Sequence, residues 1–154
     1  MTIDLVARVG EVVGLQLAAQ LYPNGDPVRD RAHLALLERF RHRLPGIRLK
    51  VEVPIPIAGD RRSADAIVKF EEGQALTKAE TRLEDLQLIK RRALAKQRNL
   101  GAKRLILLVA DTRHNRDVIG RHPELRERFP IDTRACLSTL RRGEDPGGDC
   151  LVIL

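Results

Sequence analysis

A chain of 154 residues, 43% of them hydrophobic, suits one domain with a proper core and is short for two. No apolar run approaches the ~18 residues that span a bilayer. A formal charge of +7 points toward a polyanionic partner, while three Phe, one Tyr and no Trp argue against a single-strand binder built on base stacking.

In chain order, the first predicted element is an amphipathic helix from about Ile3 to Leu21, with Leu5, Val9, Val12, Val13 and Leu17 on one side and Gln16 and Gln20 beside them. Asp4, Arg8 and Glu11 interrupt its apolar pattern. That is wrong for a secretory signal, and a cytoplasmic location is expected. Tyr22-Pro23-Asn24-Gly25 breaks the helix, and Asp26-Pro27 opens a second one to about Arg43 that buries Leu36, Leu37, Phe40 and Leu44. His33 falls near the middle of this apolar stripe and reads as a core histidine bonded to backbone.

Pro45-Gly46 then breaks the chain, and Ile47 to Ile57 alternates as a strand whose two prolines confine its far end to an edge or bend. Ala64 to Thr81 reads as a hairpin turning at Glu71-Glu72-Gly73-Gln74. Centring the turn between Glu72 and Gly73 puts Asp65 directly across from Glu80. Like charges so placed destabilise the pair, so a shared divalent cation or a nearby Lys or Arg is expected to offset them.

Arg82 to Leu100 shows Leu83, Leu86, Ile89, Ala93, Leu94 and Leu100 at helical spacing, with Gly101 as its C-terminal stop. Arg104 to Ala110 is continuously apolar after its first residue, as in a strand covered on both faces. The polar cluster Asp111-Thr112-Arg113-His114-Asn115-Arg116 follows it, either as one wall of a site or as a helix cap by Asp111 or Thr112. A helix, a loop around Pro130, a short helix near Ala135 to Arg141, the turn GEDPGG and a last strand, Cys150 to Leu154, complete the chain. The order ααβββαβαα(β) implies an α/β fold: an antiparallel three-strand meander, joined by a helix crossover to a parallel strand in a mixed sheet flanked by helices. A single domain over residues 1–154 is expected. Cys136 and Cys150 lack CxxC spacing and read as two buried thiols.

The charge is regional. Between Leu86 and Ala110 lie Lys90, Arg91, Arg92, Lys96, Arg98, Lys103 and Arg104, with no acidic residue. Lys90, Arg91, Arg92, Lys96 and Arg98, with Arg113 and Arg116, are the candidate nucleic-acid contacts.

Asp65 on one strand, Glu80 on the next and a basic residue two positions later, in Glu80-Thr81-Arg82, followed by a helix and a buried strand, resemble the PD-(D/E)XK nuclease superfamily. YPNGDPVRDRAHLALLERF, EVPIPIAGDRRSADAIV, AETRLEDLQLIKRRALAKQRNLGAKRLILLVADTRHNR and LSTLRRGEDPGG are similar to a bacterial domain of that restriction endonuclease-like fold, found behind a helix-turn-helix in transcriptional regulators. The resemblance implies that Asp65 and Glu80 hold Mg²⁺ (or Mn²⁺), which lowers the pKa of bound water and neutralises charge developing on phosphate. The expected partner is a nucleic acid, DNA or RNA, and a homodimer is left open. Arg82 stands where the family has its catalytic Lys, and a guanidinium cannot act as a general base. Lys78, on the same strand face as Glu80, or Lys90, with Gln87 on its flank of the helix, is the candidate replacement.

Three functions follow: a metal-dependent DNA endonuclease, an inactive DNA-binding or dimerisation module tied to transcription regulation, and a small-molecule enzyme using Asp111, His114 and Asn115. Without function, Asp65, Lys78, Glu80 and Arg82 form a hydrated salt-bridge lattice.

Overall fold

Leu36, Leu37, Phe40 and Leu44 recur at helical spacing and are buried, so the stretch containing them coils and lays one stripe on a sheet. In the computed structural model, which describes residues 27–54 and 63–154, this is helix α1, Pro27–Arg43. Full burial of each such Leu or Phe contributes about 1.5–3 kcal/mol. Arg31–Leu154 forms one compact unit; the amphipathic segment Ile3 to Leu21 lies outside the described residues.

Five strands form one sheet in the order β1-β2-β3-β4-β5: Leu49–Pro54, Ser63–Phe70, Gly73–Glu80, Arg104–Val109 and Cys150–Ile153. The first three are an antiparallel meander, and β3, β4 and β5 run parallel. The expected mixed α/β sheet is therefore present. β1 starts at Leu49 instead of Ile47, because the amide of Ile47 is taken by the carbonyl of Leu44 in the turn that closes α1. The expected far end of that strand, Ile55 to Ile57, is outside the described residues.

Helix α2, Leu86–Leu100, begins four residues later than its periodicity suggests. Asp85 is its N-cap and accepts from the amide of Leu88, so Arg82 to Glu84 remain a connection. It stops where expected, with Gly101 in the left-handed conformation at φ 61°. Helices α3 (Arg113–Arg121), α4 (Glu124–Arg128) and α5 (Thr133–Arg141) lead to β5. The short α4 has no counterpart among the expected elements, and α5, capped by Asp132, starts two residues ahead of the anticipated Ala135.

Two cores sandwich the sheet. Ala66, Val68, Ala75 and Ala79 point to the layer of α1 and α5, while Ile67, Leu76, Leu105 and Leu107 point to the layer of α2, α3 and α4. β4 is buried throughout after Arg104. Cys136 and Cys150 are buried free thiols, as expected, and the neighbouring Cys136 thiol together with burial pushes the Cys150 thiol up, so Cys150 supplies no thiolate. No helix among the described residues is long and apolar enough to cross a membrane.

Asn115 ties the chain together at the exits of β3 and β4. It is 0% exposed, accepts from the amide of Leu83 at 2.8 Å, and donates to the carbonyls of Thr81 and Ala110 at 2.9 Å each. Asn115→Ala strands these backbone groups away from water. It is expected to cost about 2–4 kcal/mol in urea unfolding, with faster hydrogen exchange at the Leu83 amide.

Candidate functional site

The β2–β3 hairpin has a two-residue turn, Glu71-Glu72, because Phe70 pairs with Gly73. That corrects the expected register. Continuing the observed ladder past Ala66↔Thr77 puts Asp65 across from Lys78, and Glu80 one step further along the same face. The faces agree with the alternation in the sequence, since the difference moves each partner by two residues and side chains alternate with that period.

The ladder between β2 and β3 ends at Ala66↔Thr77, although β2 continues to pair with β1 through Ala64 and Ser63. The carbonyls of Gln74 and Glu80 point to the β4 side, so the amide of Ala79 points toward β2. It donates to the Asp65 carboxylate, Oδ2, at 2.9 Å. A side chain thus replaces a strand carbonyl where the two strands part.

Lys78 Nζ lies 3.0 Å from Asp65 Oδ2 and 3.3 Å from Glu80 Oε1. His33, from α1, brings Nε2 to 3.6 Å from Asp65 Oδ1. Asp65 is therefore reached from both layers, by Lys78 on the α2 face and by His33 from the α1 side. The side chains of Asp65, Lys78 and Glu80 are 15%, 18% and 22% exposed, so their charges are only partly screened. Burial alone would raise the pKa of Asp65. The His33 ring, the Lys78 charge and the Ala79 amide outweigh it and hold the carboxyl well below its usual range. Burial alone would likewise lower Lys78, and its attraction to Asp65 and Glu80 holds the ammonium above the ordinary lysine range instead. A lysine so held donates hydrogen bonds and does not serve as a general base at neutral pH.

The two acids do share one cation, and it is an ammonium. Mg²⁺ requires near-octahedral oxygen ligands at ~2.0–2.1 Å. Asp65 Oδ2 already accepts from Lys78 and Ala79, and no group of three His, Cys, Asp or Glu able to hold a metal ion forms among the described residues. As arranged, these side chains do not fit a divalent ion.

Of the other candidates, Arg82 is exposed and pairs with Glu84 at 3.2 Å, making no ion pair with Asp65 or Glu80. Gln87 is exposed on α2. Lys90 does approach the centre. With Ile89 and Ala93 of α2, and with Leu125 and Phe129, it lines a small, mostly apolar cleft that Lys78 also lines. His33 is the participant that sequence reasoning assigned elsewhere. Its position three and four residues before Leu36 and Leu37 carries the stripe beyond the packed core, which is the signal that it sits at the rim.

Partners sort the basic residues. Arg116 is paired with Asp111 through both Nε and Nη2, and Lys103 and Arg104 both contact Asp145. Arg91, Arg92, Arg98 and Arg113 are exposed, with no ion pair among the described residues. Lys90 and Lys96 are half-buried, and Glu124 feels the charge of Lys90. The Asp111, His114, Asn115 cluster is structural: Asp111 holds Arg116, His114 Nε2 is 2.8 Å from the Leu83 carbonyl, and Asn115 is consumed by backbone. Thr112, not Asp111, caps α3.

No family model, curated protein or solved structure matches this chain.

Because Asp65 has a depressed folded-state pKa, its stabilising contribution is complete above the ordinary carboxylate range and is lost as pH falls through the folded value. Asp65→Asn is expected to be about 2–3 kcal/mol less stable than wild type at neutral pH. Urea unfolding curves in a descending pH series should show the two proteins converging in acid.

Proposed function

We propose that this chain is a nucleic-acid-binding module on a nuclease-like scaffold, with DNA as its partner and without metal-dependent hydrolysis. The observation that carries this reading is the set of exposed arginines without ion pairs on α2, namely Arg91, Arg92 and Arg98, in a helix that contains no acid. Arg82, Arg116 and Arg142, exposed elsewhere, are each held by a carboxylate. Uncompensated charge on one helix is what phosphate neutralisation requires. Arg113, at the start of α3 in the same layer, extends the surface.

The resemblance of the Asp65 and Glu80 strands, α2 and β4 to PD-(D/E)XK nucleases supports the same partner. The chemistry at the acids favours binding over cleavage. The cation between them is a protonated lysine, and Arg82, in the family's lysine position, is turned to Glu84. The scaffold would then serve a regulator, as the resemblance to domains behind helix-turn-helix segments suggests.

Fluorescence anisotropy with duplex DNA across a salt series tests this. Replacing Arg91 and Arg92 by Ala should flatten the slope of log affinity against log salt by about 2, at ~0.9 per phosphate contact. Arg116→Ala should leave it unchanged. Equal slopes for wild type and the double variant would remove α2 from the interface. Plasmid cleavage in Mn²⁺ that disappears in Glu80→Gln would overturn the non-hydrolytic reading.

A further inference from the structure

A pair of carboxylates converging from two strands ordinarily needs a cation from solution. Here the chain supplies one of its own. We infer that Lys78 is a tethered counter-ion that takes the place of a divalent metal between Asp65 and Glu80, so that this site excludes divalent ions and the protein binds its partner independently of them.

Three observations converge. The ammonium reaches both acids at once, at 3.0 and 3.3 Å, from a position on the same strand as Glu80 and one residue past the last pair of the β2–β3 ladder, Ala66↔Thr77. A covalently attached cation is always present at the site, whereas a divalent ion must bind from dilute solution and lose water to do so. Next, Asp65 is already committed. Its Oδ2 accepts from both Lys78 and the Ala79 amide, and its Oδ1 faces His33. Coordinating a metal would strip the Ala79 amide of the bond that closes the parted strands.

The third observation is where Lys78 would have to go. Lys78 lines a cleft together with Leu86, Ile89, Leu105, Leu107 and Phe129. An expelled ammonium would enter apolar surroundings and meet a second lysine, Lys90, on the cleft wall. Unpaired charge in such a place is strongly disfavoured, and like charge adds to the penalty. The ion pair is therefore closed from the inside as well as satisfied from the outside.

The test is titration of Mn²⁺, and separately Ca²⁺, into wild type, Asp65→Asn, Lys78→Met and the Lys78→Met, Asp65→Asn double variant, read by calorimetry and by the thermal midpoint. Wild type should give no saturable heat and no shift in midpoint. Lys78→Met removes the ammonium and keeps the stem. It should bind Mn²⁺ about tenfold or more tightly than wild type and gain midpoint with added metal, and the double variant should lose both responses. Saturable Mn²⁺ binding by wild type that vanishes in Asp65→Asn would overturn the inference, as would a folded Lys78→Met that binds no better than wild type. Should Lys78→Met fail to fold, the comparison of wild type with Asp65→Asn decides alone. Duplex binding by wild type should also survive EDTA unchanged, and a loss of affinity there would count against the inference. Metal titration and DNA affinity are separate readings, so a protein that binds no DNA leaves the metal result standing.

Discussion

The placement of one lysine governs this structure. Two largely buried acids on one face of the sheet would repel each other in a region where water screens them poorly, and the hairpin register puts the Lys78 ammonium between them. The same arrangement lets β2 and β3 part after Ala66↔Thr77 without leaving an amide stranded, since the Asp65 carboxylate takes the proton of Ala79. Charge compensation and backbone satisfaction are thus carried by one carboxylate. His33 adds a contact from the opposite layer, so helix α1, the hairpin and the α2 layer meet at Asp65.

Around that centre the polar residues divide by what they touch. Asn115, His114, Thr112, Asp132 and Asp85 are spent on backbone groups at the ends of strands and helices. Asp145 and Asp149 hold Arg104 and Arg128 near the start of β4 and β5, while also accepting the amides of Gly147 and Leu105. The arginines of α2 stand outside this accounting. Their charge stabilises nothing in the described fold, which is why the functional reading rests on them and not on the many basic residues that are paired.

Much of the fold is legible in the residues. The unbroken apolar run after Arg104 describes a strand covered on both faces, and Gly101 marks the end of α2 with the positive φ it adopts. The turn was harder. Either centre of Glu71-Glu72-Gly73-Gln74 preserves the faces, so polarity alone could not separate Asp65 facing Glu80 from Asp65 facing Lys78. Backbone pairing chose the shorter loop, and a pair that looked like a metal site became an ion pair with an internal cation. His33 was misread for a related reason: its place on the stripe is clear, but where the underlying sheet stops is not a local property.

The sequence by itself determined which residues are apolar, with what period, and where the charge lies; these settle the elements, their buried faces and the acid-free basic helix, because each depends on neighbours within a few positions. Only the tertiary structure decided which charges meet. Ion pairing is a matter of a few ångströms between residues distant along the chain, and it turned Arg116, Lys103 and Arg104 into paired groups, left Arg91, Arg92 and Arg98 without ion-pair partners, and gave Asp65 and Glu80 a lysine to share.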